Sequence, residues 1–129
     1  MGKIGKTRRG PEARREERRA YAGTIWIVGQ FGSDRVRAKG LDLSAGGCFF
    51  FTGLGFEVGE IIVLSLDLPG RPALNLFGQV AHKKKAKSGD TGYGITFLDL
   101  AEDERHALRN ACSSLPPPVP KGVLASLFA

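Results

Sequence analysis

Six consecutive positions, Arg14-Arg15-Glu16-Glu17-Arg18-Arg19, hold four arginines. A guanidinium is a rigid fork of N–H donors that bonds bidentately to a phosphate or to the O6/N7 edge of guanine. Several of them within a few residues can engage one ligand that carries both features. Taken alone, such a run is more often a solvated charged segment or a nonspecific nucleic-acid arm. The second cluster is Asp42-Leu43-Ser44-Ala45-Gly46-Gly47. Its Asp and Ser side chains can bond backbone groups within a turn, and its glycines allow positive φ or close backbone approach. An ionised carboxylate only accepts hydrogen bonds, which suits the N–H edge of guanine. Alone, this stretch reads as a hairpin turn with a satisfied Asp.

Other chemistry-bearing residues form no constellation. His82 and His106 are remote in sequence from each other and from Cys48 and Cys112, so neither a metal set nor a nucleophile–base pair is spelled out. The two cysteines read as buried reduced thiols, with a disulfide between them left open. Lys83-Lys84-Lys85 with Lys87 reads as a solvated hairpin end, and Trp26 as a core residue with a lesser claim to a ligand face. A catalytic role is not indicated.

The elements that would position the two clusters are mostly strands. Thr24 to Phe31 is β-branched and aromatic, and Arg35 to Leu43 alternates polar and apolar. Cys48 to Thr52, Glu60 to Leu68, Leu74 to Lys85 and Gly92 to Phe97 follow, separated by Gly-Gly, Pro-Gly and Ser-Gly-Asp turns. In the fifth of these, Leu74, Leu76, Gly78, Val80 and His82 share one face by alternation. The period then changes. Asp99 lies three before Glu102, as in a capping box, and Leu100, Ala107, Leu108, Ala111, Cys112 and Leu115 repeat at helical spacing. Pro116-Pro117-Pro118 stops that helix and opens an extended stretch to Pro120. Six short strands and one terminal helix are the pattern of a small β-barrel.

Length and charge narrow the class further. The 129 residues allow one domain with a modest core. Net charge is +6, and residues 1–19 account for +5 of it, with eight basic and three acidic side chains. A nearly neutral body with a cationic arm expects an anionic partner. Within Glu12 to Arg19 like charges fall four apart, which disfavours a stable helix before such a partner arrives. Residues 1–24 lack the apolar core of a secretory signal, Lys6 breaks a myristoylation motif, and the apolar tail from Val123 is too short to span a bilayer. A cytoplasmic location is the simplest expectation.

The order and spacing of both clusters resemble one family. Arg-x-x-x-Arg (Arg14 to Arg18) followed by Asp-x-Ser-x-x-Gly (Asp42, Ser44, Gly47) is similar to the signature of PilZ domains, receptors for the bacterial second messenger cyclic di-GMP. Ile25 and Ile27, Phe56-Glu57-Val58-Gly59-Glu60, Gly78-Gln79-Val80 and Gly92 to Phe97 resemble that family's strands, so the likeness covers about residues 14–112. It implies an all-β, six-stranded antiparallel barrel over 14–115 with a C-terminal helix. Around it stand a flexible basic extension at 1–13 and a Pro-rich tail at 116–129. It also implies a cyclic di-GMP site made by Arg14, Arg15, Arg18, Asp42, Ser44 and Gly47. The arginines would grip guanine and phosphate, Asp42 would accept from guanine, Ser44 would add a hydrogen bond, and Gly47 would let the backbone turn beneath the ligand. The register Arg15/Arg19 competes with Arg14/Arg18; the latter gives Ile25 and Ile27 the family's spacing, and the choice bears on one bound ligand against a stacked pair. Ligand binding would order the arginine segment and signal through a protein partner, with no turnover. Two rivals remain: a nucleic-acid-binding barrel using the basic arm, and a PilZ adaptor that binds only protein.

Overall fold

A computed structural model describes residues 17–29 and 34–128. Seven strands form one sheet: β1 (Arg19–Ala20), β2 (Thr24–Val28), β3 (Arg35–Leu43), β4 (Gly47–Thr52), β5 (Ile61–Leu66), β6 (Leu74–Lys85) and β7 (Thr91–Leu98). The order is β1-β3-β2-β5-β6-β7-β4, every pair antiparallel, and β4 pairs again with β3. Six strands thus close into the expected barrel, and β1 is a two-residue addition on β3. Closure leaves no long open edge within the ring.

Alternation fills the interior. Ile25 and Ile27, Leu64 and Leu66, Leu74 and Leu76, and Phe50 point inward with Tyr93 and Ile95 to make the core. Helix α1 (Glu102–Ser113) adds Leu108 and Cys112 to the same cluster. It begins later than the sequence implied. Ala101 is its N-cap, and the Ala101 N–H donates to Glu104 Oε1 at 2.9 Å. Asp99 instead takes a left-handed turn (φ 50°) on leaving β7, a conformation Asp tolerates better than most residues. Residues 116–120 have no regular structure, as expected, but Lys121–Phe128 forms a second helix, α2. Trp26 is not core. It lies half-buried on the outer barrel surface, with the Arg35 guanidinium 5.0 Å from its ring centroid and its indole N–H 3.4 Å from Asp67 Oδ2.

Two register slips shape the outer wall. Between Gly40 and Asp42 in β3, and between Val80 and His82 in β6, one residue has no cross-strand partner. A bulge of this kind bends the strand and re-aims the side chains beside it. After the first slip both Leu41 and Asp42 face outward while Leu43 returns to the core. After the second, His82 and Lys84 face outward, although alternation from Leu74 would have sent His82 inward.

Candidate functional site

Strand β1 carries the arginine segment to its partner. Its register sets Arg19 opposite Leu43 and Ala20 opposite Asp42. Tyr21 anchors it: the ring is 3% exposed, its N–H donates to Leu41 O at 3.0 Å, and its hydroxyl lies 2.7 Å from Asp67 O. Burial, more than the nearby Asp67 carboxylate, pushes the Tyr21 phenol up to about 12. With β1 so fixed, the next residue outward reaches the bulge. Arg18 Nη1 donates to Asp42 Oδ2 at 3.3 Å and Oδ1 at 3.4 Å. The arginine is 61% exposed and the aspartate 16%, so a largely sheltered carboxylate is met by a cation from the solvent side. Burial raises the Asp42 carboxyl above its ordinary range, and Arg18 and His82 only partly offset this.

Arg19 faces elsewhere. Its Nη1 donates to Leu115 O at 2.8 Å and its Nη2 pairs with Glu17 at 3.2 Å. Of the two arginines that end the run, Arg18 is therefore the one at the carboxylate. Arg14 and Arg15 lie outside the described residues.

The turn after Asp42 is held from within. The N–H groups of Gly46 and Gly47 donate to Ser44 Oγ at 3.1 and 3.2 Å, and Ser44 N–H donates to Gly47 O at 2.9 Å. Ser44 is buried and its hydroxyl is spent on the bend that presents Asp42. Gly47 is required by a neighbour. A Cβ there would overlap the carbonyl oxygen of Ile95 on β7, so only glycine lets β4 lie that close.

Around Asp42 the outer wall opens into a cleft of about 440 Å³. Leu41 and Phe49 form its floor, with Phe49 directly opposite Asp42 across the β3–β4 pairing. His82 stands beside Phe49, ring centroids 5.9 Å apart, and lies flat over Gly94, where any side chain would collide with the imidazole. Lys84 and Lys121 stand at the rim with Arg18, and one face of α2 makes the far wall. Three basic side chains share the cleft with one carboxylate and an aromatic floor. That combination suits a ligand with phosphates and a flat ring. A second groove of about 520 Å³, bounded by Tyr21, Leu68 and Pro116, has no cation in its lining and could not balance a phosphate.

Sequence reasoning singled out Arg18 and Asp42, which line this cleft, but not His82, Lys84, Lys121 or Phe49, which line it too. The signals were present. A histidine at an inward position of an alternating strand marks a slipped register, and three consecutive phenylalanines on a strand must turn some outward. The lysine run makes no continuous basic stripe. Lys83 reaches Phe56 O and Glu57 at 3.3 and 3.4 Å, while Lys84 sits 4.9 Å over the Phe128 ring. Both cysteines are buried and form no disulfide, and the described residues contain no cluster of metal-ligating side chains. No described helix is long and apolar enough to cross a membrane.

Comparison with known proteins agrees on the architecture. The family model for the PilZ domain matches residues 12–114. No curated protein sequence matches the chain. Among solved structures, the inhibitor of motility MotI/DgrA from Bacillus subtilis superposes with a TM-score of 0.67 at 21% identity, covering 77% of this chain and 49% of its own. The chain thus spans about half the length of that neighbour. The PilZ domain of YcgR from Escherichia coli, solved with c-di-GMP, gives a TM-score of 0.62 at 14% identity over 78% of this chain and 89% of its own. YcgR in complex with c-di-GMP gives 0.60 at 14% identity, covering 73% and 42%.

Proposed function

The chain belongs to the PilZ domain family, and from that premise we propose that it is a receptor for cyclic di-GMP whose site is the cleft at Asp42. The observation that carries the reading is the Arg18–Asp42 pair at the mouth of a cation-rimmed, aromatic-floored cleft. Arg18 pairs with a carboxylate that burial penalises. A guanine offers N–H donors to that carboxylate in its place. Arg18, released, joins Arg14 and Arg15 on phosphate oxygens and on the O6/N7 edge. Ser44 and Gly47 serve by holding the bend and its close seat against β7. Binding is therefore an exchange of partners, and the arginine segment moves as the ligand enters.

The output of that movement is a changed surface for a protein partner rather than a chemical product. The ligand is held and released unchanged. A cytoplasmic place goes with such a ligand.

Isothermal titration of the chain with cyclic di-GMP at tens of micromolar tests the reading. A saturable heat supports it. Arg18→Ala and Asp42→Ala should each weaken affinity by roughly tenfold or more, since a charged hydrogen bond contributes about 1.5–3 kcal/mol. No heat with the unaltered chain sinks the receptor reading and leaves the protein-only adaptor.

A further inference from the structure

The tail beyond the prolines is part of the cleft. Lys121, Leu124, Ala125 and Phe128 all line it, and their spacing of three, four and seven is one stripe of a helix. The whole inward face of α2 thus looks onto Asp42's surroundings. Its attachment is light. Phe128 stacks on Phe51 with centroids 5.7 Å apart and meets Phe49 edge-on at 5.9 Å, and Lys87 N–H donates to Leu127 O at 2.9 Å. No residue of α2 is fully buried. Eight residues are too few for a helix to persist on propensity alone, so α2 depends on what it packs against.

The charge on α2 decides between a plug and a wall. A segment that competed with an anionic ligand by mimicking its charge would carry an acidic group. The one ionisable side chain of α2 is Lys121, which adds a cation to the rim. Its apolar residues Leu124 and Ala125 face Leu41 and Phe49 across the cleft, leaving a slot with two apolar sides. The tail also starts where the arginine segment ends: Ala20 N–H donates to Pro116 O at 3.2 Å, and Arg19 to Leu115 O. The two segments therefore approach Asp42 from opposite sides of one stitched point.

Building on the receptor reading above, we propose that α2 is the outer wall of the dinucleotide site, with Lys121 bonding a ligand phosphate and Leu124 and Ala125 closing over the ring that lies on Phe49. The site is then assembled from both ends of the domain around the barrel's bulges. Sequence positions far beyond the arginine and aspartate motifs set its affinity.

The test is a titration of the full chain and its variants with cyclic di-GMP at two salt concentrations. Lys121→Ala should weaken binding roughly fivefold or more and make it less salt-sensitive, with Lys121→Arg restoring both. Phe128→Ala, which unpins the helix without touching its cation, should also weaken binding. Wild-type affinity and wild-type salt dependence in Lys121→Ala would overturn the proposal, as would tighter binding by Phe128→Ala, the mark of a competitor. If the unaltered chain itself gives no heat, the receptor reading fails and the wall falls with it; a binding wild type beside an unaffected Lys121→Ala removes the wall alone.

Discussion

Phe50 and its neighbours Phe49 and Phe51 are the same residue on the same strand, yet they belong to different structures. Phe50 is fully enclosed in the barrel, its ring 6.1 Å from that of Tyr93. Phe49 and Phe51 stand on the outer wall, sheltered by Phe128 and Ala86 and, for Phe49, bordering the cleft. One face of β4 holds the fold together and the other furnishes the site. Alternation along a strand lets a protein vary one without disturbing the other.

The sharpest break of that contrast is truncation on each face. Phe50→Ala should cost about 3–5 kcal/mol of stability, the usual toll of emptying a core aromatic, read from the urea midpoint. Phe51→Ala, covered by one short helix, should cost about 1–2 kcal/mol. Equal losses would mean that α2 is as much core as the barrel interior.

Next in size is the separation of stability from binding at the ion pair. Arg18→Ala should lower cyclic di-GMP affinity by roughly ten- to a hundredfold. Its unfolding free energy should change by less than about 1 kcal/mol, because so exposed an arginine is screened by solvent. A large stability loss with intact binding would reverse the assignment.

A smaller effect lies in pH. Burial raises the folded-state Asp42 carboxyl above its ordinary 3.8. The folded protein thus binds the proton more tightly than the unfolded chain, and stability should fall as pH rises from 3.8 through the raised value. Ligand affinity runs the other way. It needs the ionised carboxylate, so acidification should weaken binding at a higher pH than an ordinary aspartate would allow. Asp42→Asn should flatten both trends, and a persisting acid limb in that variant would assign it to another group. The least effect concerns the inner face. Cys48 is buried and burial pushes its thiol strongly up, so a thiol reagent should leave it unlabelled until urea opens the barrel.

Most of the barrel was readable because each strand carries its own alternation and each turn its own glycine or proline. Arg18 and Asp42 were readable because their chemistry is local to their motifs. What escaped was set by neighbours. The unpaired positions in β3 and β6 depend on how adjacent strands register; His82 hints at the second, but nothing at Leu41 announces the first. Tyr21 drew no notice beside the arginine run, though its ring and hydroxyl tie β1 to the core. Lys121–Phe128 contains Gly122 and Val123, weak helix formers, and its helix owes its shape to the phenylalanines beneath it.

Gly47 has a consequence for anyone searching genomes with the Asp-x-Ser-x-x-Gly pattern. Because the Ile95 carbonyl excludes a side chain there, steric necessity would hold that glycine in place even in a descendant that had forgotten its ligand. Such a search recovers scaffolds through its last letter, and a match there says little about what is bound.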